Sequence, residues 1–494
     1  MISMSFDLAI ALSLIIPVVG TILIGMSGDR PNQRETVTLL TAISLFAVTL
    51  WLLPQVAAGA RPEVSFFEVL PGMPLKFVIE PLGMLFATIA SGLWIVNSIY
   101  AIGYMRNTGE VNHTRFFMCF PISIGAALGM AYAGNLFTLF IFYEVLTLST
   151  YPLVAHRETE EAKKGARIYL GVLLTTSIGL LLPAIIATYM LTGTTDFTAG
   201  GILADHVSPT TATILLALFM FGIGKAALMP FHKWLPSAMV APTPVSSVLH
   251  AVAVVKAGVF SVLKIGIYIF GIDYLADADL TFWLQAVSAF TLVTASIIAL
   301  TKDNLKARLA YSTISQLAYV VFGLSLATAA GFMGGSLQIA MHAVGKITLF
   351  YFAGAIYVAH HKTEVSQLNG LGRKMPLSFI AYTIGALSII GLPPFGGAWP
   401  KFVLMEGAVD AGQPLLIAVL IISSLLNIAY LLPITVRGFF LKPDGEDTPA
   451  PFSWDGVKEA PFMVLAPLCF TAFLCFVMFF AVDAVEGLIA PILN

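Results

Sequence analysis

Charge is scarce in this chain: Asp, Glu, Lys and Arg make up 11% of its 494 residues, against about 25% in a soluble domain. With 58% hydrophobic residues and a mean hydropathy of +0.91, that scarcity excludes a water-soluble fold. Cysteine is rarer still. Cys119, Cys469 and Cys475 form no C-x-x-C pair, which leaves packing as their role and excludes an iron–sulfur cluster held by this chain. A phosphate loop is also missing. Gly222-Ile223-Gly224-Lys225 lacks the leading glycine four residues earlier that such a loop requires, and it lies inside an apolar run. The spans contain no carboxylate cluster suited to a hard cation. No metal or cofactor is therefore expected, and with a net charge of −2 no nucleic acid either.

What remains is apolar runs of the length a bilayer demands, about 20 residues each. They fall near 5–27, 36–54, 78–102, 116–133, 135–155, 168–192, 212–233, 244–270, 281–300, 309–327, 334–358, 377–404, 415–436 and 461–485. The expected fold is an all-α integral membrane protein of about fourteen helices, one membrane domain over 1–494. The first run exceeds a signal-peptide core and has no A-x-A cleavage site, so it reads as a retained helix. The longest polar stretch, about 438–460, reads as a linker between the last two spans.

Basic residues test this map. Alternate loops hold Arg30, Arg34, Arg106, Arg115, Arg157, Lys163, Lys164, Arg167, Lys302, Lys306, Arg308, Lys362, Arg373, Lys374, Arg437, Lys442 and Lys458, whereas only Arg61 and Lys76 fall on the other side. Cytoplasmic loops carry the excess of Lys and Arg. Both termini are thus expected outside, in a multi-pass protein of a bacterial inner membrane.

Six lysines and no arginine lie within the spans: Lys225, Lys233, Lys256, Lys264, Lys346 and Lys401. A desolvated amine releases its proton, and a guanidinium does not. Ionisable groups at membrane depth mark ion or proton paths and are usually paired. The obvious partner is Glu144. His342 and Lys346 share a helical face one turn apart. His250 and Lys256, six residues apart, point away from each other and require water between them. Lys264 lies about two turns beyond Lys256, and either extends the path or snorkels. His232 and Lys233 sit near a helix end, where snorkelling competes with a relay role.

Two spans are interrupted by proline. The seventh reads GIGKAALMPFHKWLP, broken at Pro230, and the twelfth reads GLPPFGGAWPKF, broken at Pro393 and Pro394, each with a lysine, Lys225 or Lys401, beside the break. They are five spans apart. Residues 116–270 and 281–437 are accordingly expected to form two inverted five-helix repeats, each a half-channel, with discontinuous seventh and twelfth helices marking the ion path.

The run FIFYEVLTLSTYPL around Glu144, the run from Gly224 to Gly258 with P-x-H-x-W-L-P followed by A-P-T-P-V-S, and MHAVGKITLFYFAG from Met341 resemble the antiporter-like membrane subunits shared by respiratory complex I and Mrp-type multisubunit sodium/proton antiporters. The resemblance covers nearly the whole chain. It implies fourteen helices in two inverted repeats joined by a central polar axis. It also implies that Glu144 pairs with Lys225, that Lys256 is the connecting lysine of the eighth helix, and that Lys346 is central in the eleventh and Lys401 terminal in the twelfth. His250 and His342 are the expected relays. A lysine rather than a glutamate at position 401 makes the D subunits of Mrp antiporters the most similar branch. The implied partners are the other membrane subunits of such an antiporter, with protons, and sodium through the complex, as the ions moved. A proton-pumping subunit of an NADH-quinone oxidoreductase and a membrane subunit energising a soluble bicarbonate-uptake partner are the alternatives.

Overall fold

The computed structural model describes residues 4–70, 72–442 and 456–493. Eleven helices among them are long and apolar enough to cross a membrane. Helix 305–325 and the two interrupted spans complete the expected fourteen passes among the described residues. In chain order the passes are helix 1 (Phe6–Met26), helix 2 (Pro31–Ala57), helix 3 (Pro81–Thr108), helix 4 (His113–Ala131), helix 5 (Leu136–Val154) and helix 6 (Glu160–Thr192). Helix 7 is 209–240 and broken, helix 8 is Thr243–Phe270, helix 9 Phe282–Thr301, helix 10 Leu305–Ser325 and helix 11 Ala329–His360. Helix 12 is 376–410 and broken, helix 13 is Leu415–Phe440 and helix 14 Phe462–Phe480. Of the expected linker 438–460, helix 13 takes the first residues and 443–455 lie outside the described residues.

Burial sorts these helices into an inner and an outer set. Helices 8 and 11 are wholly buried in their apolar stretch, whereas helices 1, 6, 13 and 14 are about one third buried or less. A helix apolar on every side can be either inner or lipid-facing. The inner pair is set apart by the polar groups it carries, which lipid would leave unsatisfied: His250, Lys256, Lys264, His342 and Lys346 are all buried. The outer helices instead turn Ile15, Val18, Ile22, Ile178 and Leu425 outward.

One element was not expected. Residues Glu63–Leu70 and Met73–Val78 form an antiparallel hairpin, extended onto the loop after helix 4 by Val78 N–H to the Tyr132 carbonyl (2.7 Å) and Gly134 N–H to the Lys76 carbonyl (2.8 Å). The alternation in Glu-Val-Ser-Phe-Phe-Glu-Val is a short, irregular period-2 signal, and the last residue of the hairpin falls in the expected third span.

The breaks fall where proline placed them. Helix 7 stops at Gly222, passes through a tight turn at 224–226, and resumes at Trp234; Met229–Pro230 is cis. Helix 12 stops at Ile390 and resumes at Ala398; Pro393–Pro394 is cis. Helix 8 winds wide over Val248–Val252 and Gly266–Phe270, a loosening common at functional sites.

Candidate functional site: a polar line through the bundle

The line starts in the break of helix 7. Lys225 is fully buried, and its Nζ donates to the Tyr143 carbonyl (2.9 Å) and to Thr147 Oγ1 (2.5 Å) while lying 3.1 Å from the centre of the Tyr143 ring. The Tyr143 hydroxyl accepts the Lys225 backbone N–H (3.1 Å), and Trp234 Nε1 ties the far side of the break to the Gly224 carbonyl (2.9 Å). Helix 8 can touch this break because residue 258 is glycine. A Cβ there would lie 2.5 Å from Ala226 N and 2.7 Å from the Lys225 carbonyl oxygen.

The expected Glu144–Lys225 ion pair is not formed. Both Glu144 carboxylate oxygens are buried with no hydrogen-bond partner among the described residues. The reason is helical geometry: Lys225 takes up the face of helix 5 defined by Tyr143 and Thr147, four residues apart, and Glu144 is turned about 100° from it.

Lys256 and His342 meet across helices 8 and 11, Nζ to Nδ1 at 2.5 Å. This changes the expected pairing on helix 11, since His342 faces Lys256 and not Lys346. On helix 8, His250 and Lys256, expected to point away from each other, share no hydrogen bond. Neither ring nitrogen of His250 has a partner among the described residues, and Phe350 packs on its ring at 5.3 Å. One turn along helix 11, Lys346 Nζ donates to Ser312 Oγ on helix 10 (2.7 Å).

From Ser312 the contacts run without a gap to Lys401. The Tyr430 hydroxyl of helix 13 reaches Ser312 Oγ (2.9 Å) and the Asn427 amide (2.6 Å). The Asn427 oxygen, oriented by its neighbours, accepts from Lys401 Nζ (3.2 Å) and Gln316 Nε2 (3.1 Å). Lys401 Nζ also donates to the Ile390 carbonyl (2.6 Å) and Ser424 Oγ (3.0 Å). Lys401 lies one turn inside the second half of helix 12 and reaches back to the C-terminal end of the first half, where the helix dipole favours a cation. Gly391, at φ +92°, leaves room for its stem: a Cβ there would stand 2.6 Å from Lys401 Cδ. Hydroxyls and amines in such contact can hand on protons, each donating one as it accepts another.

Lys264 does not snorkel. It is 1% exposed and forms an ion pair with Glu80 Oε1 at 2.5 Å, while donating to the Ala133 carbonyl (2.7 Å). Glu80, which opens the third span and reads in the sequence as an interfacial carboxylate, is buried as well. Lys233 is exposed as a snorkelling residue should be, and His232 is half-buried beside Tyr311, 6.3 Å between ring centres. Sequence reasoning also missed Ser312, Tyr430, Asn427 and Gln316. Polar residues inside helices 10 and 13 were the available signal. Among the described residues no group of three His, Cys, Asp or Glu side chains could hold a metal.

A multi-pass bundle whose two innermost helices carry buried amines and imidazoles, flanked by two interrupted helices, is the architecture of an ion-conducting membrane protein. The family described as NADH:quinone oxidoreductase/Mrp antiporter, TM, matches residues 133–427, and the chain belongs to it. It is 30% identical to NADH-quinone oxidoreductase subunit N of Desulforudis audaxviator (strain MP104C) over 73% of this chain and 72% of that one. It is 28% identical to a probable K(+)/H(+) antiporter protein of Rhizobium meliloti (strain 1021) over 94% of this chain, and spans only 46% of that relative. Its fold superposes on a chain of the Mrp complex from Dietzia sp. DQ12-45-1b with a TM-score of 0.86, 22% identity, and coverage of 99% of this chain and 98% of the other.

Proposed function

We propose that this chain is the proton-translocating membrane subunit, of the D type, of a Mrp-like multisubunit cation/proton antiporter in a bacterial inner membrane. The observation that carries the reading is the run of contacts from Lys346 through Ser312, Tyr430 and Asn427 to Lys401, with the Lys256–His342 pair one turn away. Likeness of the whole fold to the Mrp complex supports the kind of assembly. Residues 116–270 and 281–437 serve as the two half-channels.

Lys225 holds a proton while the Glu144 charge favours its ammonium form. When that influence weakens, desolvation favours the neutral amine and the proton passes toward Lys256. From Lys256 it moves through His342 to Lys346, and along the hydroxyl and amide groups to Lys401. The other membrane subunits supply cation binding, with sodium as the coupled ion, because coupling requires a differential interaction with both ions.

Lys225→Arg tests the carrier role. Arginine keeps the cation beside Tyr143 but does not discharge, so the assembled complex is expected to form normally and lose most proton transport in pH-dye vesicle assays. Near-normal transport would remove Lys225 from the path. Similarity to a quinone oxidoreductase subunit N favours a second reading, a proton-pumping subunit of that enzyme. Co-purification with small antiporter subunits supports the first reading, and co-purification with flavin and iron–sulfur subunits the second.

A further inference from the structure

The first half of helix 12, Pro376–Ile390, is about 22 Å long and is tied down at both ends by side chains from outside it. At its far end the Ile390 carbonyl accepts from Lys401 Nζ (2.6 Å). At its near end the half-helix has no cap of its own, because the Met375 side chain offers no acceptor to the first backbone N–H groups, which the helix itself leaves unsatisfied. Glu459, in the short segment that leads into helix 14, fills that place. Its Oε1 accepts from Leu377 N–H (2.7 Å) and Ser378 N–H (3.3 Å), and its Oε2 from Ser378 Oγ (2.6 Å). A carboxylate at the positive end and an amine at the negative end both complement the dipole of this half-helix.

The same segment reaches a second element of the polar line. Lys458 N–H donates to the Lys374 carbonyl (2.7 Å), and the Lys458 carbonyl lies 3.3 Å from Nε2 of His360, the last residue of helix 11. Segment 458–459 thus clasps the end of helix 11, which carries His342 and Lys346, to the start of the half-helix that receives Lys401. Midway along, the half-helix is fastened to helix 13 by the Tyr382 hydroxyl on the Leu431 carbonyl (3.0 Å) and by Thr383 Oγ1 with Thr435 Oγ1 (2.9 Å). A rigid rod held at its centre turns both ends together. The Glu459 bonds lie about 7 Å along the axis from that centre and the Ile390 carbonyl about 11 Å, so a displacement at the clasp reaches Lys401 undiminished.

We propose that Glu459 is a positioning residue for Lys401, acting through the half-helix between them. With the clasp closed, Lys401 shares its bonds between the Ile390 carbonyl and, on helix 13, Ser424 Oγ (3.0 Å) and the Asn427 oxygen (3.2 Å). With the clasp open the Ile390 carbonyl withdraws, and Lys401 depends on helix 13 alone. Glu459 lies outside both proposed half-channels. Among the described residues its hydrogen bonds go to Leu377 and Ser378, neither of them in the polar line. Its role rests on the conduction reading above.

The test is a double-mutant cycle in the assembled complex, read as proton transport in pH-dye vesicle assays. Glu459→Ala should assemble and lower transport about fivefold, and Ser424→Ala about twofold; together they should lower it about fiftyfold, against the roughly tenfold that two distant, independent sites give. Glu459→Gln keeps an acceptor for the two N–H groups and a donor for the Ser378 hydroxyl, and should retain at least half of parental transport. Ser378→Ala removes one bond of the clasp with little change of volume. It should repeat the cycle with Ser424→Ala more weakly, so that the coupling is read even if Glu459→Ala fails to assemble. Unchanged transport in Glu459→Ala, losses that simply multiply, or a Glu459→Gln variant as impaired as Glu459→Ala would overturn the positioning role while leaving the conduction reading intact. A parent complex that moves no protons would overturn the conduction reading, and the role of Glu459 with it.

Discussion

Tyr430 sits where the polar line crosses from helix 10 to helix 13, its hydroxyl touching Ser312 Oγ on one side and the Asn427 amide on the other. Phenylalanine keeps the ring and its packing while deleting the single group that bridges the two. Tyr430→Phe is therefore expected to leave assembly intact and slow proton transport by about tenfold, roughly 1.4 kcal/mol on the barrier; an unchanged rate in vesicles would show that the line carries no protons at that point. The buried Glu80–Lys264 pair calls for a different readout. Removing one member leaves a charge unpaired in a dry site, at a cost of about 3–5 kcal/mol. Lys264→Met should lower the thermal unfolding midpoint in detergent markedly, and the double replacement Glu80→Gln with Lys264→Met should recover most of the loss. A double variant no more stable than Lys264→Met alone would assign the damage to packing.

At the scale of elements, the interrupted helices and the loops that hold them decide how accurately the lysines are placed. Loop 302–304 is clamped to loop 361–367 by Asp303, whose carboxylate accepts from Ser366 Oγ (2.6 Å) and Ser366 N–H (2.9 Å). These hydrogen bonds hold the Asp303 carboxyl below its ordinary value. A carboxyl depressed in the folded state adds stability above its unfolded value of about 3.9, and loses it as pH falls through the lower folded value. Asp303→Ala should consequently lower the melting temperature at pH 7, with the difference from the parent shrinking as pH falls below about 4. A difference that stays constant across this range would place the clamp elsewhere. Loop 302–304 leads directly into helix 10 and its Ser312.

For the molecule as a whole, we propose from the seventeen-to-two asymmetry of basic loop residues that both termini lie outside. Asp205 and Gln367 are exposed on loops at opposite ends, whereas their neighbours Leu203 and Val365 are buried. In a background lacking the three native cysteines, Asp205→Cys should label from outside and Gln367→Cys from the cytoplasm. Labelling of both from one side would invalidate the map. The outward-facing helices 1, 6, 13 and 14 leave wide apolar faces for lipid and for the neighbouring subunits of the proposed complex.

Read along the chain, hydrophobic run length and charge were enough to determine the fourteen passes and the lysines worth watching. Both depend on local composition, since a bilayer imposes length and neutrality on each segment separately. Pro230, Pro393 and Pro394 marked the breaks because a missing backbone donor is a property of the residue itself. Pairing was another matter. Glu144 looked like the partner of Lys225 and His342 that of Lys346, yet Lys225 rests on Tyr143 and Thr147, and His342 meets Lys256. Glu80 finds Lys264, and Lys346 finds Ser312, only because helix 3 packs beside helix 8 and helix 10 beside helix 11. Which side chain meets which is set by the rotation of each helix about its own axis and by its neighbours, with glycine at 258 deciding how closely two backbones approach and glycine at 391 leaving room for the Lys401 stem. Those quantities exist only in the packed bundle.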